Sequence, residues 1–379
     1  MAAEPTDRLP WRYLVAGGAV VATAICTRRP KLSRAYAPGL GAVLTLVAAL
    51  LATANRVLYK VALVPLGNYV FFLAQFTTFG YVFAYWSALL FNRSRGAISD
   101  KQVLFARSRW RTFASIGALE AGSVLLGMLG AKALPGAILP VLGQLFLVFQ
   151  MSFSTALLGR RYSLSELAGC ACCVSGVLTA STGSHLALEG FEFTPALLFV
   201  TSLGLPALGS VLKERLFADA RRQCEEELNV FVVNTLGSSC QATCVLLLLP
   251  LLASLQGVGA SPKDIAAYLT AGAKAFVSAP LWPCLYLGLN LCFNVSILVL
   301  LRTTSAVSVS LSVAMAVPMT ALVFASCDVP LLGRGQPLDR SFGLGLVLIL
   351  GGLCLYHGWI RKFLAARKGE GDLADPLLQ

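Results

Sequence analysis

Charged side chains are scarce in this sequence. They make up 13% of the 379 residues, whereas a soluble domain carries about 25%. Hydrophobic residues account for 57%, and the mean hydropathy is +0.75. So little charge does not suit a water-soluble surface, and a disordered chain would contain far fewer apolar residues. The composition therefore indicates a polytopic membrane protein.

Motifs of several enzyme classes are also missing. The two histidines, His185 and His357, lie in different regions, and neither HExxH nor GxSxG occurs. An intramembrane enzyme needs a nucleophile with its base, or a bound metal. The phosphate-binding pattern GxxxxGK[ST] is absent as well, which argues against transport driven by ATP. We therefore expect a protein that is not an enzyme, with no catalytic residues, no metal site and no cofactor.

Long apolar runs are what the sequence does contain. Ten of them are about twenty residues long, the length that crosses ~30 Å of hydrocarbon as a helix. They predict an all-α polytopic membrane protein with ten transmembrane helices in a lipid bilayer. The runs cover residues 38–58, 69–91, 110–130, 134–158, 164–182, 195–214, 229–255, 281–300, 304–327 and 341–361.

The basic residues are distributed unequally between the two sides of this predicted bundle. With ten alternating spans, 23 of the 30 lysines and arginines lie on the side of the N-terminus and 6 on the other, while Arg56 falls inside the first span. This bias follows the positive-inside rule and places both termini on the same side. The net charge of +12 reflects this bias. No basic run is interleaved with exposed aromatics, so we expect no nucleic-acid partner.

An internal match indicates a duplication. The sequence LLGR at 157–160 recurs at 331–334, an offset of 174 residues. The offset superposes the fifth span on the tenth, and because five is odd the second copy is inverted. Inverted halves are typical of secondary transporters. Further identities at the same offset are Leu164 with Leu338 and Gly169 with Gly343.

The duplication defines the predicted organisation of the chain. Prolines also interrupt the fourth, sixth and ninth spans at Pro140, Pro206 and Pro318, and discontinuous helices line the cavity of many transporters. The predicted units are an N-terminal basic segment (1–37), a first five-helix repeat (38–182), a connecting loop (183–194), a second five-helix repeat (195–361) and a polar C-terminal tail (362–379).

Polar side chains within the spans are the candidates for substrate binding. An ionisable group at the centre of a membrane helix costs ~3 kcal/mol or more, so it should face a cavity or a partner. The candidate substrate-binding residues are Asn55, Arg56, Tyr59, Lys60, Gln75, Thr77, Glu120, Gln144, Lys213, Glu214, Asn290 and Asn294.

Structural roles are the alternatives for these residues. The charged groups near helix ends can extend to the membrane interface. Asn290 and Asn294 share one helix face and can form interhelical hydrogen bonds. Arg56 and Glu120 can form a mutual buried ion pair. For this last pair we favour a role in a cavity.

The motifs resemble the chloroquine-resistance-transporter-like (CRT-like) family, and in particular its plant and algal branch, the plastid thiol transporters. The resemblance runs from about residue 45 to residue 360. It implies the ten-helix fold of the drug/metabolite transporter superfamily, with two inverted five-helix repeats. The motifs that carry it include NRVLYK at 55–60, QFTTFGY at 75–81, LEA at 119–121, KE at 213–214, FVVN at 231–234, and NL with FN at 290–294.

The resemblance also implies a function. Its plastid branch moves glutathione and γ-glutamylcysteine across the plastid envelope. The parasite branch carries peptides and basic drugs out of an acidic vacuole, and its cysteine-rich loop has no counterpart in segment 256–280. Arg56 falls where the parasite branch has a lysine that governs drug passage. We therefore expect a transporter of small anionic thiol peptides, and leave a homodimer open.

A second transport function stays open at this point. A proton-coupled exporter of peptides, amino acids or amine drugs would reside in a vacuole-like membrane. Glu120 would then be its protonatable group.

Overall fold

The computed structural model describes residues 40–134, 138–181, 193–333 and 340–356. The predicted N-terminal segment 1–37 and the tail 362–379 lie outside these residues, as do His185, His357 and most of the connecting loop.

The described residues fold almost entirely into helices, with one isolated bridge between Val329 and Gly333. The helices are α1 (Leu40–Leu66), α2 (Val70–Ser94), α3 (Asp100–Ser108), α4 (Trp110–Ala133), α5 (Ile138–Gly143), α6 (Leu145–Leu158), α7 (Leu164–Ser181), α8 (Phe193–Cys224), α9 (Val230–Leu247), α10 (Leu249–Leu255), α11 (Pro262–Ser278), α12 (Leu281–Thr303), α13 (Ala306–Ala314), α14 (Ala316–Ser326) and α15 (Arg340–Tyr356).

Six helical segments of the described chain are long and apolar enough to cross a membrane: α1, α4, α8, α9, α12 and the combined α13–α14. Three shorter helices, α6, α7 and α15, are also apolar. The prediction of an all-α polytopic membrane protein is thereby confirmed. The number of ten spans and their inverted arrangement stay predictions.

Breaks divide some of the predicted spans, and one predicted break is absent. Helices α5 and α6 are separated at Gln144, and α13 and α14 at Met315. Pro206, by contrast, lies inside the continuous 32-residue helix α8. Proline lacks the N–H that would bond the carbonyl of Ser202, four residues earlier. Ser123 of α4 donates to that carbonyl at 2.8 Å, so a neighbouring helix replaces the missing bond.

Glycines allow two helix pairs to pack closely. A Cβ atom at Gly169 would lie 2.6 Å from the carbonyl oxygen of Gly352, and one at Gly176 would lie 2.7 Å from that of Gly345. Helices α7 and α15 therefore pack antiparallel with their backbones in contact, as small residues permit. On α4, a Cβ at Gly130 would lie 2.6 Å from the backbone nitrogen of Phe199 on α8.

The glycines of the two copies of the repeated tetrapeptide share a left-handed backbone conformation. Gly159 and Gly333 have φ angles of 67° and 70°, in the left-handed region that favours glycine. Gly159 ends α6 before α7, and Gly333 lies in the turn before α15. The likeness is confined to the glycine, because Leu157 lies in α6 whereas Leu331 has a φ angle of 65°.

The connections between helices meet at two ends of the bundle. At one end, Ser99 Oγ donates to Glu226 Oε2 at 2.6 Å, and Arg160 lies 2.8 Å from Glu214. We call it the basic end. It is where four connections meet: 95–109, 159–163, 225–229 and the α12–α13 junction. At the opposite end, Tyr268 of α11 donates to the carbonyl of Asn68 at 2.7 Å.

Candidate functional site

The two asparagines of α12 form a network with tyrosines. Asn290 Nδ2 donates to the hydroxyl of Tyr286 at 3.1 Å, and Asn294 Nδ2 donates to Asn290 Oδ1 at 2.5 Å. The hydroxyl of Tyr81, on α2, also donates to Asn290 Oδ1. The structure thus shows the interhelical hydrogen bonding that the sequence left as an alternative. Asn290 is buried, near the middle of α12.

The only acid in the middle of a predicted span is paired. Glu120 of α4 lies 2.5 Å from Lys213 Nζ of α8. The ring of Tyr85 is 6.0 Å from that of Tyr81, and the Tyr85 hydroxyl has no hydrogen-bond partner among the described residues. We call the α12 network, Tyr81, Tyr85 and the α4–α8 ion pair the track, although the described residues do not join them in an unbroken chain of hydrogen bonds. Arg56 is not the partner of Glu120, so the alternative of a mutual pair is wrong.

Helices α1 and α12 pack antiparallel along their lengths. The rings of Tyr59 and Tyr286 lie 5.4 Å apart. Towards the basic end, a Cβ at Gly41 would lie 4.0 Å from Thr304 Cγ2. The middle of α1 consequently faces the middle of α12.

This register locates Arg56. It lies one turn before Tyr59 on α1, and Asn290 lies one turn after Tyr286 on α12, so Arg56 is level with the asparagine network. Its side chain is half-buried. Within the described part of the chain it has no hydrogen bond, ion pair or ring contact. A guanidinium at this depth without a protein partner is costly unless it meets water or a ligand.

Lys60, one turn after Arg56 on α1, does contact another residue. Its Nζ is 5.0 Å from the ring centroid of Phe324 on α14, in a cation–π arrangement. The side chain is exposed. A role for Lys60 in substrate binding stays a prediction.

Glu214 forms its contacts at the basic end. Arg160 lies 2.8 Å from its Oε1, and the backbone N–H of Ala306 donates to its Oε2 at 2.8 Å. A carboxylate at the first N–H groups of α13 is favoured by the helix dipole. Arg160 also donates to the carbonyl of Thr304 at 3.4 Å. Lys213 and Glu214, although adjacent in sequence, therefore engage different helices.

The remaining candidates lie on α1, α2 and the α5–α6 junction. Thr77 donates back to the carbonyl of Leu73 on its own helix at 3.0 Å. Gln75 is buried, and neither its Oε1 nor Asn55 Oδ1 has a partner among the described residues. Gln144 lies at the break between α5 and α6. Their roles in binding stay predictions.

Sequence reasoning missed the tyrosines of the track. Tyr81, Tyr85 and Tyr286 lie among the polar candidates, yet aromatic residues in membrane helices are common and carry little signal alone. Helical spacing could have found them, because Tyr286 precedes Asn290 by four residues and Tyr85 follows Tyr81 by four.

Comparison with known proteins connects this arrangement to a family. The model of the CRT-like, chloroquine-resistance transporter-like, family matches residues 42–280. The chain is 40% identical to Protein CLT2, chloroplastic, of Arabidopsis thaliana, over 81% of this chain and 73% of that protein. It belongs to the CRT-like family. Assignment of the chain to the plastid branch of the family is supported by Protein CLT3, chloroplastic, of the same organism. That protein is 37% identical over 82% of this chain and 70% of the relative.

A more distant relative and a solved structure are also similar to this chain. The Chloroquine resistance transporter of Toxoplasma gondii is 24% identical over 86% of this chain and 39% of that protein. A protein of known crystal structure superposes with a TM-score of 0.51 and 20% identity, covering 84% of this chain and 98% of that one. The latter shows a shared fold. Family members are named transporters, so the chain is a membrane transporter of the CRT-like family.

Proposed function

We propose that this CRT-like protein is a secondary transporter that moves small anionic thiol peptides, glutathione and γ-glutamylcysteine, across the plastid envelope. The observation that carries the proposal is Arg56, a half-buried cation without a partner among the described residues, level with the asparagine network. The chloroplastic names of the Arabidopsis relatives support the location. Ten spans in two inverted repeats complete the proposal.

The chemistry of the track suits such a substrate. Glutathione at neutral pH has two carboxylates and one ammonium. The planar fork of Arg56 can donate two parallel hydrogen bonds to a carboxylate, a geometry that an ammonium cannot reproduce. A positive charge at this position also disfavours cationic solutes.

Replacement of Arg56 tests the proposal. In proteoliposomes, Arg56→Ala should lower the uptake of labelled glutathione at least about tenfold, equivalent to ~1.4 kcal/mol, and should admit cations more readily. Arg56→Lys should fall between, because it keeps the charge and loses the fork. Arg93→Ala is the control, since Arg93 lies at the end of α2 in an exposed pair with Asp100.

Two outcomes would count against the proposal. Normal glutathione uptake by Arg56→Ala, with only a lower melting temperature, would make the arginine a structural residue. Uptake that is abolished without a pH gradient would favour the proton-coupled exporter instead.

A further inference from the structure

The ion pair between Glu120 and Lys213 lies in an unusual place. Glu120 is near the middle of α4, and Lys213 reaches it from α8 across a distance of 2.5 Å. Their side chains remain 22% and 20% exposed, so the pair borders open space. Ions in a membrane interior must be paired, and an apolar pair of similar volume would often serve stability equally well. The pair therefore calls for a role beyond holding two helices together.

Free volume adjoins the pair. Gly209 lies one turn before Lys213 on the same face of α8 and is buried, yet a Cβ there would meet no described atom within 4 Å. Gly209 thus leaves room for a ligand atom beside Lys213.

We infer that Glu120 and Lys213 form the subsite for the α-amino-acid group of the substrate. This group separates the two side chains and gives each of them a new partner of opposite charge. The ammonium of the substrate would bind Glu120 and its α-carboxylate would bind Lys213. The inference rests on the proposed function and names the residues that select its substrate.

The charges balance in this arrangement. Arg56, Lys213 and Glu120 together carry a net charge of +1, and glutathione or γ-glutamylcysteine carries −1 at neutral pH. An α-amino-acid group replaces one ion pair by two, so neither protein charge is left alone. The second carboxylate then meets Arg56. A substrate whose α-amino group is blocked would separate the pair and leave Glu120 unpaired, which is strongly unfavourable in a low-dielectric interior.

Competition experiments on the reconstituted full-length protein test the subsite. Uptake of labelled glutathione is measured against unlabelled glutathione and N-acetylglutathione. We expect the N-acetyl compound to compete at least about tenfold less well with the wild type. In Glu120→Gln/Lys213→Met the two compounds should compete equally. In Arg56→Ala uptake should fall while the preference for the free amine is kept.

A second ion pair provides the matched control. Arg109 and Asp219 also join two helical elements, at 3.3 Å, but at the basic end. Arg109→Gln/Asp219→Asn should keep the wild-type preference for glutathione over N-acetylglutathione.

The outcomes separate the two proposals. If the wild type takes up glutathione but treats both competitors alike, the subsite is wrong and the proposed function stands. A double variant of Glu120 and Lys213 that keeps the preference would also overturn the subsite. If the wild type carries no glutathione, the proposed function fails, and the subsite fails with it. Should the double variant not fold, the wild-type competition still decides.

Discussion

The two ends of the helix bundle are held together by different chemistry. At the basic end, Glu226 accepts hydrogen bonds from Ser99 at 2.6 Å and from Gln102 at 3.3 Å, and Arg109 pairs with Asp219 at 3.3 Å. Each of these contacts joins a residue of the predicted first repeat to one of the predicted second repeat. Polar contacts of this kind can exchange their protein partner for water when the end opens.

The opposite end is packed by aromatic rings. The ring of Phe276, on α11, lies 4.9 Å from that of Phe76 and 6.2 Å from that of Phe72. A Cβ at Gly272 would lie 2.6 Å from Phe72 Cγ. Within the described residues no ion pair joins elements at this end.

The difference has consequences for the proposed secondary transport, in which the two ends open in turn. An exposed ion pair contributes about 0–1 kcal/mol, because water replaces the partner. Exposed apolar area costs about 25 cal/mol per Å² and has no such replacement. We therefore expect the basic end to respond to charge and pH, and the opposite end to respond to side-chain volume.

The largest effect is expected at Glu214, the carboxylate of the basic end that is buried among the described residues. Glu214→Ala removes the partner of Arg160 and the cap of the first N–H of α13, so the free energy of unfolding should fall by about 3–5 kcal/mol. Asp100→Ala is the control, because that carboxylate is 90% exposed in its pair with Arg93 and should cost under about 1 kcal/mol. Thermal unfolding in detergent measures both. Equal losses would show that the Glu214 contacts add nothing beyond a surface pair.

A smaller effect is expected from added volume at the opposite end. Gly272→Ala forces the Phe72 ring or α11 to move, which should lower the free energy of unfolding by about 1–3 kcal/mol. Gly288 on α12 is the matched control, since it is exposed and a Cβ there meets no described atom within 4 Å. Gly288→Ala should leave the melting temperature unchanged. If Gly272→Ala also leaves it unchanged, α11 is not tightly seated on α2.

The smallest effect concerns the pH response of the basic end. The hydrogen bond from Ser99, aided by that from Gln102 and by the charge of Lys101, lowers the pKa of Glu226 below its ordinary value of 4.5. A lowered pKa contributes stability that is present above the ordinary value and is lost as the pH falls through the folded-state value. Glu226→Gln should therefore have a lower melting temperature than the wild type at pH 7. The difference should shrink below pH 4.5, and a constant difference across this range would refute the role of the charge.

Much of the fold could be predicted from the linear sequence. Apolar runs of about twenty residues reveal membrane helices directly, because the hydrocarbon thickness sets their length. The motifs around 55–60 and 75–81 sufficed to recognise the family. Pro206 shows where local reasoning stops: a proline predicts a break, but Ser123 on another helix satisfies the freed carbonyl.

The candidate site likewise has a part that the sequence predicts and a part that it does not. The sequence by itself determined which ionisable and polar groups lie within the spans, because burying them in hydrocarbon is costly wherever they occur. Only the tertiary structure decided their partners. Glu120 pairs with Lys213, 93 residues away, and Arg56 is left without a partner among the described residues. The physical reason is that periodicity assigns a residue to a face of its own helix, whereas ion pairing depends on which helices pack together and in which register.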